Sequence, residues 1–202
     1  MAVWREQKPL ILASQSRVRQ TLLSNAGLSF EAKPAAIDER VIQKNSGLIA
    51  AGEIAAHLAC EKARSVSLQS PGRYVIGADQ TLESEGRMFN KPAGRDGAAE
   101  HLRALSGRTH ALHAAIAVVR NGEALFENVS VARLTMRELS EDTIRAYLDV
   151  AGDAVTTSVG AYQLEGLGVH LFDRIEGDHF TILGLPLLPL LAFLRGEGLL
   201  SL

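Results

Sequence analysis

Cysteine is nearly absent: Cys60 stands alone in 202 residues. A lone cysteine forms no internal disulfide and offers no metal-binding pair, which fits a reducing compartment and predicts a small, buried, apolar role. A basic field is also missing, since the formal net charge is −2 and both signs are interleaved along the chain. That excludes the electrostatic footprint of a polymeric nucleic-acid partner. No apolar run is long enough to cross a bilayer, which takes roughly 20 residues. The most apolar tract, 182–194, is shorter and contains Pro186 and Pro189, so it predicts a packing helix and no membrane partner. The opening MAVWREQKPLILAS carries an acidic residue, a short apolar run and no small-residue cleavage site after it, which predicts no export signal and a cytoplasmic protein. The six histidines show neither HExxH nor tight pairing, against a zinc site, and the absence of GxxxxGK[ST] argues against a P-loop enzyme.

What is present reads as a globular chain. Hydrophobic residues make up 47% and charged residues 22%, and no segment has the core-poor composition of a disordered region. Neither an internal repeat nor a low-complexity linker appears, so residues 1–202 are expected to form one domain with two lobes. Residues 9–13 predict a buried strand and 16–26 a helix closed by Gly27. Residues 30–34 predict a second short strand, and 49–66 an amphipathic helix with Lys62 along its apolar seam. Residues 74–78 predict a strand and 94–105 a helix ended by Ser106-Gly107. Two strand-like arms around Asn121-Gly122 predict a long antiparallel hairpin, because both turn positions need positive φ. Ser140 is placed to cap a helix with Glu141 and Asp142 in its first turn and Gly152 past its end. A strand over 169–175 and the Pro-containing helix follow. Strand–helix alternation with a central meander predicts an α/β class with a mixed, twisted sheet flanked by helices and a cleft between the lobes.

Four places could carry chemistry. In LASQSRVR, 12–19, a strand ends in serines and a helix begins with arginines, which makes either a phosphate cradle or a capped helix with solvated arginines. Asp79 closes the apolar run and either binds a divalent cation or takes a proton from water, or else holds a turn. Lys62, Lys91 and Arg108 stand beside structural punctuation, where cations either converge on a polyphosphate or are merely solvated; Arg108 reads as a structural partner of its turn. GAYQLEGLG, 160–168, presents Gln163 and Glu165, and an ionised Glu accepts two hydrogen bonds, as a guanine edge requires, or sits in an ordinary turn.

Taken in order, LASQSRVRQTLL, IDE at 37–39, CEKA at 60–63, GADQ at 77–80, NKP at 90–92, LSGRTH at 105–110, GAYQLEG at 160–166, IEGD at 175–178 and GLP at 184–186 resemble the Maf family of nucleoside triphosphate pyrophosphatases. The resemblance covers nearly the whole chain. It implies a Maf, or inosine triphosphatase-like, fold. It also implies hydrolysis of a nucleoside triphosphate between the α- and β-phosphates with a divalent cation, Mg²⁺ or alternatively Mn²⁺, as house-cleaning of the nucleotide pool. On this resemblance the general base is Asp79, the phosphate-binding serine and arginine are Ser14 and Arg19, and the catalytic lysines are Lys62 and Lys91. Glu39 is a metal helper beside Asp79.

Two departures bear on substrate. Arg17 replaces the family's usual proline, and Val18 stands where members selective for thymidine and uridine nucleotides carry arginine. Gln80 and Glu165 replace the threonine and glutamine of those members and resemble the branch acting on 7-methyl-GTP. The expectation is therefore a 7-methyl-GTP pyrophosphatase. The alternatives are a dTTP or UTP pyrophosphatase, or a nucleotide-binding regulator of septum formation with little turnover. Asp79 is expected to face metal, water and phosphates at the end of its strand, and Gln80 the base. A homodimer through the hairpin and the apolar C-terminal helix is the partner expectation beyond the nucleotide itself.

Overall fold

The structure is a computed structural model that describes residues 3–202. In chain order it contains β1 (Leu10–Leu12), α1 (Arg17–Asn25), β2 (Phe30–Ala32), α2 (Glu39–Ser46), α3 (Ala51–Ser67), β3 (Val75–Ser84), β4 (Arg87–Phe89), α4 (Gly94–Leu105), β5 (Thr109–Arg120), β6 (Glu123–Met136) and α5 (Glu141–Ala151). Three short 3₁₀ turns between Gly152 and Leu171 lead into β7 (Phe172–Glu176), α6 (His179–Ile182) and α7 (Leu187–Gly196). Strand neighbours run β2-β1-β3-β5-β6-β7, with β4 paired to β3. The β1 pairings with β2 and β3 are parallel, and the β3–β4 and β6–β7 pairings are antiparallel, so the sheet is mixed as expected. Among the described residues no helix is long and apolar enough to cross a membrane.

The chain divides into two compact units. The first takes the chain up to Gln80, Ala114–Ser130 and His179–Leu202; the second takes Thr81–His113 and Val131–Asp178. In the first unit the two-residue period of the strands separates two apolar layers. Leu10, Leu12, Ile76, Ala78, Ile116 and Val118 pack with Leu22 and Leu23 of α1 and with Leu187, Leu190 and Leu194 of α7. Ile11, Ala13, Val75, Ala115, Ala117 and Val119 face the other way, onto Ala55, Ala59, Ala63 and Val66 of α3. Cys60 is buried and free, and burial together with its hydrogen bond to Glu127 pushes its thiol up to about 11, which keeps it protonated and unreactive.

The hairpin forms at the predicted turn. Asn121 and Gly122 have φ of 53° and 81°, the mirror-image turn that matches strand twist. The tip is tied to the end of α3, with Gly122 N–H donating to Ser67 Oγ at 3.1 Å and Gly72 N–H donating to Asn121 Oδ1 at 2.7 Å.

In the second unit β4 returns along β3 after a Glu85-Gly86 turn, and β7 pairs with the last residues of β6. Ser140 caps α5 by accepting from Thr143 N–H, with Glu141 and Asp142 in the first turn. His110 is 1% exposed beside Tyr162, its Nε2 2.6 Å from the phenol oxygen, and its Nδ1 has no hydrogen-bond partner.

Four boundaries differ from the sequence reading. The strand predicted over 74–78 continues to Ser84, because Leu82 and Ser84 are still buried on one face while Glu83 reaches the other. The strand predicted from 169 starts at Phe172, since 167–171 is a 3₁₀ turn. The tract 182–194 is not one helix: α6 stops at Ile182 and α7 starts after Pro186, where proline ends the donor ladder and restricts the residue before it. Finally, α2 is a helix the sequence reading lacks: it is eight residues long, its only apolar residues are Val41 and Ile42, and none of its residues is buried. Its caps were visible: Asp38 accepts from Arg40 N–H and Val41 N–H, and Gly47 closes the helix.

Burial lowers His110 to about 4. Below its ordinary pKa of about 6.5 the unfolded chain binds a proton that the folded chain refuses, so stability falls as pH drops from about 6.5 to about 4. Urea unfolding at pH 7 and pH 4.5 is expected to show an acid loss on the order of 2 kcal/mol that His110→Gln removes; an identical slope in both proteins contradicts it.

Candidate active site

The cluster grows out of β3. Because the strand runs through residues 79 and 80, these point to opposite faces, Asp79 with Val75 and Gly77 toward α3, and Gln80 with Ile76 and Ala78 toward the other layer. The expected pairing of the two is thus kept as neighbours, yet their separation comes from the pleat and not from the strand having ended.

On the α3 side, Lys62 Nζ lies 2.6 Å from Asp79 Oδ1 and 2.9 Å from Glu39 Oε1. Lys62 and Asp79 are 9% and 8% exposed, while the Glu39 side chain, first residue of α2, is about half exposed. Burial raises the Asp79 carboxyl above its ordinary value, against the downward pull of the Lys62 and Arg19 cations. A carboxylate held above its usual range is a better proton acceptor near neutral pH than an exposed one.

The approach of α3 to β3 depends on small residues. Gly77 has no side chain because α3 leaves no room: a Cβ there would stand 2.0 Å from the Ala59 carbonyl oxygen and 2.9 Å from Ala63 Cβ. Ala59 and Ala63 flank Lys62 on the helix, so the contact that excludes a side chain at 77 also sets the reach of Lys62 to Asp79.

On the opposite side, Arg19 works as a three-way fastener. Its Nε donates to the Gly184 carbonyl at 2.8 Å, and its Nη1 donates to the Ala78 carbonyl at 2.7 Å and to Ser14 Oγ at 3.3 Å. The paired residues of β1 on β3 end at Leu12 and Ile76, and Arg19 meets the Ala78 carbonyl two residues farther on. Burial lowers the Arg19 guanidinium from its ordinary value, while Asp79 and Glu39 pull it back up. Ser14 Oγ also accepts from Ser16 N–H at 3.2 Å, so its acceptor positions face the protein and its own proton remains to donate. Ser16 caps α1 through Arg19 N–H. Gln80 Nε2 donates to the carbonyls of Thr181 and Ile182 at 3.0 and 3.1 Å, which spends both amide protons on the end of α6.

Of the nine residues singled out, five fall into two contact groups in the first unit, Ser14 with Arg19 and Lys62 with Asp79 and Glu39, which meet where Arg19 holds the Ala78 carbonyl next to Asp79. Gln80 is bound to the α6 end, and Val18 lies half-buried in α1. Lys91 and Glu165 belong to the second unit and are exposed, before α4 and on the loop preceding the last 3₁₀ turn. Arg108, in the turn between α4 and β5, pairs with Glu85 of the turn between β3 and β4 at 2.7 Å. Sequence reasoning assigned no role to Gly77 or Gly184. An isolated glycine inside an apolar strand is itself a signal of close backbone approach.

Among the described residues no group of three His, Cys, Asp or Glu converges as a metal cage. Two carboxylates that already share one cation nevertheless fit Mg²⁺, which is commonly held by one or two carboxylates with phosphate oxygens and water completing the shell.

The profile described as Maf-like protein matches residues 9–197. The chain is 81% identical over its full length, and that of its relative, to a nucleoside triphosphate pyrophosphatase of Nitrobacter hamburgensis. It is 66% identical over 201 residues, all of both chains, to one of Rhodopseudomonas palustris. A 7-methyl-GTP pyrophosphatase of Rhizobium etli is 54% identical, covering 94% of this chain and 96% of that one. Among solved structures, a HAM1 protein from Coxiella burnetii aligns with a TM-score of 0.41 at 19% identity, over 63% of this chain and 72% of that one.

Two substitutions test the architecture. Gly77→Ala is expected to destabilise by about 3 kcal/mol in urea unfolding, because backbone lies in the way of the added methyl; a change under about 0.5 kcal/mol would contradict the close approach. Arg19→Lys keeps the charge and loses the fork, and is expected to cost about 2 kcal/mol in the same measurement.

Proposed function

The chain belongs to the Maf family, and from that premise we propose that it hydrolyses nucleoside triphosphates between the α- and β-phosphates, releasing a nucleoside monophosphate and pyrophosphate, with 7-methyl-GTP the favoured substrate. The observation that carries the reading is the Asp79–Lys62–Glu39 cluster, adjoined through Arg19 by Ser14 and the start of α1.

Each part has a chemical task in this reading. Asp79, raised by burial, takes the proton of the attacking water. Lys62 and Lys91 offset negative charge building on the phosphates, and Ser14 donates its hydroxyl proton to a phosphate oxygen. The N–H groups of Arg17 and Val18 in the first turn of α1 lack intrahelical partners and favour an anion nearby, while that of Arg19 is taken by Ser16 Oγ. Arg19 adds positive potential, although three of its contacts are internal. Asp79 and Glu39 would hold a divalent cation, Mg²⁺ or Mn²⁺, which when bound polarises phosphoryl oxygens and lowers the pKa of water.

Support for the methylated guanine rests on Gln80 and Glu165, with Val18 speaking against a thymidine or uridine nucleotide, and on the Rhizobium etli relative that carries that substrate in its name. Exposed Glu165 can accept from two donors on a guanine edge. Gln80, on the face opposite Asp79 and with both amide protons engaged by the carbonyls that end α6, has its side-chain oxygen as the one acceptor it can offer the base. Several relatives of higher identity are named only for nucleoside triphosphates, so the base preference is the finer part of the proposal. The single cysteine accords with work in the cytoplasm.

Pyrophosphate release with Mg²⁺ from 7-methyl-GTP, GTP, dTTP, UTP, CTP and ATP tests both parts. The expected outcome is a preference for 7-methyl-GTP and a loss of about a hundredfold or more in kcat for Asp79→Asn. Preference for dTTP or UTP would keep the hydrolysis and discard the base reading, and unchanged turnover in Asp79→Asn would discard the role of Asp79.

A further inference from the structure

Lys62 occupies an unusual place for a residue that is to hold substrate phosphates. Its ammonium sits between the two carboxylates proposed to hold the divalent cation, 2.6 Å from Asp79 Oδ1 and 2.9 Å from Glu39 Oε1. A Mg²⁺ ion binds carboxylate oxygens at about 2.0–2.1 Å. An ammonium hydrogen-bonded to one oxygen of each carboxylate takes part of the acceptor set a metal would use and opposes a second cation there by like charge. We infer that Lys62 is the resident counter-ion of the Asp79–Glu39 pair in the nucleotide-free protein and competes with the divalent cation for it. The metal is therefore admitted together with a nucleotide, whose phosphates draw the ammonium off the carboxylates.

The inference follows from the charge arrangement. Arg19 brings a second positive charge to Asp79, acting on the carboxylate through space. With two cations already matched to two carboxylates, a free divalent ion gains little net attraction. A metal–triphosphate complex brings its own anionic oxygens, which offer Lys62 an alternative set of acceptors. The lysine has the means to change partner, since its ammonium is a compact charge on a flexible four-carbon stem. Arg19, by contrast, is fixed at both ends of its fork. This division assigns Lys62 as the moving cation and Arg19 as the fixed one.

The inference rests on the reading of Asp79 and Glu39 as the metal-holding pair, and its test does not use turnover. Mn²⁺ binding to the nucleotide-free protein is measured at pH 8 by electron paramagnetic resonance of the free ion. Wild type is expected to bind weakly, and Lys62→Met at least tenfold more tightly. Adding Asp79→Asn or Glu39→Gln to Lys62→Met is expected to abolish the gain. Should the Met variant not fold, Lys62→Gln, which keeps a donor and removes the charge, takes its place with the same expectation. Equal Mn²⁺ affinity in wild type and the lysine variant overturns the inference, as does a gain that survives removal of either carboxylate. Pyrophosphate release by wild type, run alongside, separates the two readings. Turnover without a gain in Mn²⁺ affinity leaves the function and removes the counter-ion, while a gain without turnover does the reverse.

Discussion

The buried ion pair between Lys62 and Asp79 is the contact on which the arrangement of the first unit turns. An uncompensated buried charge costs several kcal/mol, and a buried pair repays that only at close range and with its remaining polar atoms engaged. The Lys62 ammonium reaches Asp79 at 2.6 Å from a helix that packs close on β3, and closeness of that kind excludes side chains from the seam. Gly77 beneath Ala59 and Ala63 is the result. Pair, helix seam and glycine are one requirement stated three times, once in charge, once in helix composition and once in the strand.

The same strand explains why chemistry and scaffolding lie back to back. With a two-residue period, Asp79 turns to the α3 layer while Ala78 and Gln80 serve the layer of α1, α6 and α7. Arg19 takes the Ala78 carbonyl, Gln80 takes the carbonyls that end α6, and Arg19 also takes that of Gly184. Every one of these acceptors is a backbone carbonyl oxygen, and that of Thr181 also accepts from Gly184 N–H at 3.0 Å. The residues before and after Asp79 are thereby held from one side, which fixes the carboxylate presented on the other.

Much of this was legible in the sequence because it is local. The Asn121-Gly122 turn, the Ser140 cap and the alanine-rich stripe of α3 follow from rules that act within a few residues, and all three formed. Lys62 announced itself by standing on an apolar stripe, where an amine needs a partner. What stayed hidden was long-range or weakly patterned. Nothing near Arg19 in the chain hints that its guanidinium reaches Gly184, and α2, with only Val41 and Ile42 apolar among its eight residues, offers little apolar period to detect. The strand end was misplaced at Ala78 because Asp79 and Gln80 are polar, yet a strand continues through polar residues when each finds a partner on its own face. The apolar tract 182–194 looked like one helix because hydropathy does not register Pro186 as the start of a new one.

The weakest member of the charged cluster is also the one most exposed. Glu39 begins a helix with no buried residue, so α2 is held by its caps and its contact with α3 more than by a core, the profile of a segment with low local stability. Loss of the Glu39 contact would leave Lys62 and Asp79 still paired at short range, whereas loss of Asp79 would strand a buried ammonium beside a carboxylate in solvent contact. The three charges are therefore unequal: Asp79 is set by the sheet, Lys62 by a helix packed against it, and Glu39 by a helix free to adjust. Of the two carboxylates that share Lys62, the exposed one is thus the one whose loss the sheet feels least, and the buried one the one whose loss it feels most.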